Sequence, residues 1–539
     1  MNGGGKYQIK AKIISCVLKN AINKEMQVIV FSFGVYEKFL HRCRIMDTFA
    51  SQGIAALAII LVSYYFYVKY TYNYWKRKNV PQLHPTFPFG NYNLPLPKGF
   101  SIGPISKRYY DAFKKAGHAF GGVYVGMTPH VVLVDERLGR NVLTKDFQYF
   151  MDRGLYHRPQ SIITSNMFVQ NNEEWRPKRS KLTVIFTSAK MKFYFNTIKK
   201  CANELEANLD TAAIRNEDID IYETMGCYFT DIISSLVYGI DAKSFKDPNA
   251  AIRKVGRELF SKYTLPFKMT LFLVNAYPNL AKMLGVPSIQ KEIEDFFVKL
   301  VPDTMDYRKK NNIYREDLLQ LLIDLNNSGT IASNDIIAET FNFFVAGYET
   351  SSTISTYLLY ELAKHKDIQD KVRNEISRVL KNHNGEFSYD VIHELTYMNQ
   401  VMKEASRKYP ALATLTRVCV SDYQIPGTDV IIEKDTPVII PILGYHFNPD
   451  YFPDPDKFDP DRFEGNVKYE GFLPFGDGPR NCIGERLGVM QVKLGVAVLL
   501  KNFEVSLSPT LKEPLVLDEL QFVTKTTERI YLRIKKIDN

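Results

Sequence analysis

The stretch Phe475-Gly476-Asp477-Gly478-Pro479-Arg480-Asn481-Cys482-Ile483-Gly484 decides the reading of this 539-residue chain. Glycines alternate ahead of a Pro-Arg-Asn-Cys sequence, and the apolar pattern of residues 482–500 predicts a helix behind it. A cysteine held as a thiolate on iron needs three things from its surroundings. Backbone N–H groups must point at the sulfur, and glycines let the chain turn tightly enough to do so. A positive field must favour the anion, and a helix N-terminus supplies one. An apolar shield must stand beside the sulfur, and Phe475 is the candidate. These fixed Phe, Gly, Arg, Cys and Gly positions would coincide by chance on the order of once in ten thousand chains of this length, at ~5% per residue.

Around this loop the composition sets bounds. The other cysteines, at 16, 43, 201, 227 and 419, show no Cys-x-x-Cys spacing and suggest neither a disulfide framework nor a zinc site. They read as small buried hydrophobes. The formal charge is +10, but residues 1–45 alone carry +6 and the rest only +4. The body therefore has no nucleic-acid signature. Residues 49–68 contain no charge and end in Tyr64-Tyr65-Phe66-Tyr67. About 20 apolar residues span a bilayer, and aromatics favour its interface, so this stretch predicts a transmembrane anchor. Lys69, Lys76, Arg77 and Lys78 follow it and place the large C-terminal body on the cytoplasmic side. The basic residues 1–45 conflict with that orientation. A start at Met46 removes the conflict, so residues 1–45 are expected to be an upstream-start extension absent from the working protein. Residues 46–79 then form the anchor and its basic flank. Residues 80–104, with Pro81, Pro85, Pro88, Pro95, Pro97 and Pro104, read as a semi-rigid hinge.

The body, 105–539, reads as one mainly α domain with a minor β-sheet, an α+β pattern without repeats. Residues 120–134 alternate like a hairpin around Gly126. A long helix is expected from 333 or 334 to about 362, about 45 Å at ~1.5 Å per residue. Residues 391–408 read as another helix, and strands return at 437–442 and near the C-terminus.

Inside the long helix stands Ala346-Gly347-Tyr348-Glu349-Thr350-Ser351. A mid-helix glycine costs ~1 kcal/mol relative to alanine, so something needs the space. Gly347 and Thr350 share a face and could frame a niche for a small polar ligand. Close packing by a neighbour explains the glycine equally well. Glu404-x-x-Arg407 carries nothing by itself, because Glu173/Arg176 and Glu375/Arg378 repeat it, and exposed pairs of this spacing are worth ~0.3 kcal/mol. Trp175 and Arg179 at i,i+4 suit a surface stack. His446 reads as a core or carboxylate-side histidine.

The loop at 475–484 resembles the haem loop of the cytochrome P450 superfamily, with every fixed position present. That resemblance implies a b-type haem, Cys482 as its axial thiolate and metal ligand, and Arg480 on a haem propionate. Thiolate ligation favours O–O cleavage. The stretch 346–351 is similar to the superfamily's oxygen-binding helix, which implies Gly347 and Thr350 as the dioxygen niche. Glu349 and Thr350 would be the acid–alcohol pair that relays protons. Pro460-Asp461-Arg462-Phe463 follows Glu404-x-x-Arg407 at family-like spacing and implies a buried Glu404/Arg407/Arg462 triad holding the loop. The family also places Trp175, Arg179 and Arg417 at the propionates. The similarity runs from about residue 81 to the C-terminus, one domain. Residues 152–156, 181–188 and 344–352 resemble the insect microsomal family-6 branch. Three departures stand out. Asn448 occupies a common aspartate position, Asp461 replaces a usual glutamate, and residues 522–527 lack the usual Pro and Gly-Gly turn of a pocket strand.

The resemblance implies a membrane-anchored monooxygenase of the endoplasmic reticulum, acting on a hydrophobic, xenobiotic or lipid-like substrate with O2. Electrons would come from NADPH through a separate cytochrome reductase, with cytochrome b5 as a further partner beside membrane lipid, since the chain has no flavin or nicotinamide fingerprint. A haem-thiolate isomerase or dehydratase, or a non-enzymatic haem sensor, are the rivals. Glu349-Thr350 argues against the first, and an unexplained oxygen niche against the second.

Overall fold

The computed structural model describes residues 49–92, 103–261, 264–519 and 521–537. Residues 1–48 and 93–102 lie outside this set, and with them the expected extension and ten residues of the proline-rich segment. The chain divides into two units, Met1–Thr71 and Tyr72–Asn539. In the first, a continuous helix α1 (Phe49–Thr71) covers the segment expected to span a bilayer. Among the described residues, no helix is long and apolar enough to cross a membrane. Ser51, Gln52, Ser63 and the tyrosines that follow dilute the apolar run of α1.

The second unit is mostly helical with small sheets, in line with the expected mainly α class. Its β1 (Phe120–Val125) and β2 (Thr128–Leu133) form the expected hairpin, with Phe120 opposite Leu133 and Gly126 turning at φ +58°. β7 (Pro437–Ile440) pairs parallel with β2 and antiparallel with β4 (Leu415–Val418), giving the order β1-β2-β7-β4. The hairpin also fastens the start of the unit. Trp75 is buried against Gly122, where a Cβ would fall 2.2 Å from the indole. Gly122 N–H donates to Pro81 O at 2.7 Å, and Leu83 N–H donates back to Gly122 O at 3.1 Å. The described part of the proline-rich segment is thus docked on β1.

Two helices carry the interior. α2 (Ser333–Lys364) matches the expected long helix and packs along α3 (Ile221–Tyr238). α4 (Glu485–Asn502) follows the cysteine loop with Gly484 as its N-cap. The expected single helix over 391–408 is instead two, Tyr389–Glu394 and α5 (Thr396–Lys408), broken at Leu395. Two buried side chains make the break stable. Glu375 accepts the N–H groups of Tyr397 and Met398 at 2.8 and 2.9 Å, capping α5. Lys493 of α4 donates to the carbonyls of Ile392 and Leu395, closing the preceding helix. A second sheet, β3 (Asp218–Asp220), β9 (Tyr531–Lys536) and β8 (Phe503–Leu507), closes the C-terminus. The 522–527 stretch forms no named strand. An isolated bridge joins Leu517 to Thr526, and Thr524 is pinned through its N–H to Ala411 O at 2.9 Å.

Candidate functional site: a thiol loop and an arginine-rimmed cavity

Cys482 N–H donates to Phe475 O at 2.9 Å, which ties the two ends of the loop together. Gly476 and Gly478 turn it, both at φ +71°. At Gly478 a Cβ would also fall 1.8 Å from Leu143 O, so no other residue fits that turn. Asp477 accepts the Gly478 N–H at 2.7 Å and is itself held by Arg140 Nε at 2.8 Å. The thiol precedes the N-terminus of α4, as the sequence implied, and helps to line a cavity. Burial pushes its pKa up, while the Gly484 backbone bond, Arg179 and Arg153 oppose that shift. A bound metal cation would reverse the balance in favour of the thiolate.

The cavity holds about 690 Å³, within the ~300–1,000 Å³ of small-molecule and cofactor sites. Phe475 and Cys482 line it from the loop; Ala346, Gly347 and Thr350 line it from α2. Phe260 and Phe522 add apolar wall. Four guanidinium groups reach the same space: Arg153, Arg179, Arg417 and Arg480. Arg417 and Arg480 are both 2% exposed. Arg480 donates through Nη2 to Gln170 O at 2.8 Å and lies over the Trp175 ring at 4.3 Å. Its Nε and Nη1, and Nε of Arg417, have no hydrogen-bond partner among the described residues. The carboxylate paired with Arg480, Asp152, stands 3.8 Å away.

Burial, with Arg179 adding to it against Asp152, lowers the Arg480 pKa to about 10. Burial and the neighbouring Arg480 lower that of Arg417 to about 9. Arg153 is lowered by burial and by the other three arginines, and Arg179 by burial. Buried cations with unpaired N–H groups call for anions. A flat, apolar prosthetic group bearing carboxylates would meet that need, with Cys482 on the same cavity to hold its metal. Trp175, Arg179, Arg417 and Arg480 all line this one cavity. Arg153, which donates to Arg480 O at 3.0 Å, joins them without having been singled out. It lies beside Asp152 in a stretch whose sequence pointed only to a family branch, so the one available signal was that neighbourhood.

On α2 the candidates separate. At Gly347 a Cβ would fall 2.6 Å from Ile233 Cδ1 of α3, so the side chain of a neighbouring helix fills the space the glycine leaves. Thr350 lines the cavity, and its hydroxyl donates to Ala346 O at 2.7 Å. Glu349 is fully buried and is not among the cavity-lining residues. Consecutive helical residues point ~100° apart, so the two cannot share one face. Glu349 Oε1 accepts from Tyr222 at 2.6 Å and from Lys525 Nζ at 2.7 Å, while Oε2 has no partner. Lys525 belongs to the 522–527 stretch that departs from the family pattern. The departure thus carries a buried ion pair to the acid.

Beneath the loop, Arg407 donates to both oxygens of Glu404, at 2.7 and 2.8 Å, and to His446 O at 2.9 Å. Arg462 Nε approaches Glu404 at 3.5 Å. His446 accepts the Leu473 N–H on Nε2 at 3.1 Å, so its Nδ1 donates to Arg407 O, also at 3.1 Å. Burial holds this imidazole neutral, with a pKa near about 3. It is a core histidine that couples the triad to the start of the thiol loop. Asn448 donates to the buried Glu136 at 2.7 Å, a contact in which an aspartate would meet a like charge.

An apolar cavity with a thiol loop at a helix start and buried guanidinium N–H groups left without partners suits a haem-thiolate protein. The sequence model of the Cytochrome P450 family matches residues 85–533. The chain is 37% identical over 486 residues to "Probable cytochrome P450 6a20" of Drosophila melanogaster, covering 87% of this chain and 97% of that protein. It is 37% identical to "Cytochrome P450 6a2" of the same fly, covering 86% and 96%. It is 36% identical over 514 residues to "Cytochrome P450 6k1" of Blattella germanica, covering 90% and 97%. This chain belongs to the cytochrome P450 family. It is a monooxygenase, an oxidoreductase that uses haem b, O2 and a small-molecule substrate, with NADPH electrons delivered by a reductase.

Proposed function

We propose that this chain oxidises a hydrophobic small molecule, xenobiotic or lipid-like, at the endoplasmic reticulum membrane. The observation that carries the site reading is the Cys482 thiol in a cavity rimmed by buried, unpartnered guanidinium N–H groups. Cys482 would hold the haem iron through its thiolate. Arg153, Arg179, Arg417 and Arg480 would hold its carboxylates, with Arg480 stacked on Trp175. Phe475 shields the sulfur. The haem supplies oxygen activation when bound. The chain's own part is to bind and orient substrate against the apolar wall and to deliver protons. Thr350 presents its hydroxyl to the cavity beside Gly347, and Glu349 is the acid behind it, fed through Tyr222 and Lys525. α1 anchors the chain to the membrane, with the catalytic unit on the cytoplasmic face. Cytochrome reductase docks on a basic face that includes the exposed Arg176 and Arg486, with cytochrome b5 as a further partner.

Cys482→Ala is the direct test. It is expected to abolish the thiolate-type Soret band of the reduced carbon monoxide complex. A retained band would refute the ligand assignment. NADPH-dependent O2 consumption with a reductase then separates oxygenation from isomerase or sensor chemistry, neither of which consumes O2.

A further inference from the structure

Glu339 is a buried carboxyl that the reaction chemistry leaves unused. It stands on α2 two turns before Gly347 and is 1% exposed. Its Oε1 accepts the backbone N–H of Met167 at 2.7 Å, and its Oε2 accepts from Asn342 Nδ2 at 3.3 Å. Met167 and Asn342 both line the cavity. One turn earlier, Asp335 pairs with Lys178 at 2.6 Å, and that ammonium also donates to Ser165 O at 3.3 Å. Two carboxylates of α2 therefore hold one short stretch of chain from above and below. Within it, Asn166 Oδ1 accepts the N–H groups of Phe168 and Val169 at 3.0 and 3.3 Å, so these residues move together. Phe168 in turn stacks on Arg153 at 4.3 Å and meets Phe522 edge-on at 6.4 Å. The stretch is cavity wall, and its attachment to α2 runs through a titratable group.

We propose that Glu339 is a positioning residue for the substrate wall: its carboxylate fastens residues 165–169 to the long helix, and proton uptake there loosens that wall. The charged groups acting on it are Lys178, which favours the ionised form, and Asp335, which opposes it. The Met167 amide and the Asn342 side chain also favour the ionised form, while burial is the largest influence and lifts the carboxyl to about 7. Contacts that favour the ionised form are weakened when the proton binds, by linkage. For a local opening in which Glu339 keeps its burial and loses only these contacts, the wall is tight on the alkaline side and loosens as pH falls through neutrality; global unfolding, which hydrates the carboxyl, has the opposite sign. The inference leans on the proposed function only in calling this space the substrate pocket.

Hydrogen–deuterium exchange on the full-length, haem-loaded protein tests it without any turnover, so its failure is separable from failure of the monooxygenase reading. Peptides covering residues 161–170 are followed either side of neutrality and corrected for intrinsic exchange rates. Wild-type protection is expected to fall as pH falls. Glu339→Gln, which keeps an acceptor but cannot ionise, is expected to give pH-independent protection. Glu339→Leu is expected to lose about tenfold or more at alkaline pH, the worth of a hydrogen bond to a charged group. Exchange in Glu485–Asn502 should not change. Wild-type protection that stays flat with pH would overturn the proposal, and so would a pH response that survives in Glu339→Gln. Because Gln preserves size and polarity, that arm decides the matter even where the leucine variant fails to fold.

Discussion

At the scale of single residues, two buried groups give opposite stability signatures. Arg417 has an unpartnered Nε and almost no exposure, so in haem-free protein its charge is a cost. Replacing it by methionine, which keeps most of the volume, is expected to stabilise the haem-free chain by about 1–3 kcal/mol. The same change should weaken haem retention, because a propionate loses its partner. Thermal melts of haem-free protein and transfer of haem to apomyoglobin check the two signs; a fall in both would mean that Arg417 is simply structural. Glu339 is shifted the other way. Its folded pKa, about 7, lies above the usual 4.5, so the folded state binds the proton more tightly than the unfolded chain. Stability therefore falls as pH rises between those values and stays reduced above them. Glu339→Gln should exceed wild type by about 3–4 kcal/mol at alkaline pH, at ~1.4 kcal/mol per unit, and by little in acid. Denaturant melts at two pH values read this directly. The loop of Cys482 and Arg480 was legible because it is written in ten consecutive residues. The place of Arg153 was not, because it reaches the cavity only where four distant segments converge. Glu349 shows the same limit: the sequence paired it with Thr350, and only the fold reveals Tyr222 and Lys525 on its carboxylate.

At the scale of elements, the lesson lies in the break at Leu395. No glycine or proline marks it, and the apolar pattern runs through 391–408 without a change of phase. The signal was Glu375, set aside because its Glu-x-x-Arg spacing is common. In the fold that carboxylate takes two backbone N–H groups of α5 and the Thr396 hydroxyl. α5 carries Glu404 and Arg407, which hold His446 and so the thiol loop. Glu375→Ala leaves buried N–H donors unpaired and is expected to cost about 2–4 kcal/mol. Its effect should travel: the melting temperature falls, and the fraction of thiolate-type carbon monoxide complex falls with it on mild heating. An Arg378→Ala control, which removes the other half of the same spacing, should do neither. The long helix, by contrast, was legible nearly to its last residue, since its apolar faces recur over many turns. Its Gly347 was readable only as a need for space. The occupant, Ile233, belongs to another helix.

At the scale of the whole molecule, the fold class followed from a motif set that spans most of the chain, and the catalytic unit Tyr72–Asn539 has that class. The boundary before it was harder to see. Lys76, Arg77 and Lys78 read as a basic flank of the anchor, yet Trp75 beside them is buried in the catalytic unit. A large aromatic in a charged stretch was the available cue. That boundary makes deletion informative. Removing residues 1–45 should leave haem content and membrane partition unchanged, because α1 and its following lysines remain. Removing residues 1–71 takes α1 away and leaves Trp75 and the β1 contacts of Pro81 and Leu83 in place. Haem content is then expected to persist while sedimentation with microsomes drops sharply, most of all in high salt, where basic surface attraction is screened. If the 72–539 chain still sediments fully in high salt, membrane attachment resides in the catalytic unit, and α1 is not the anchor.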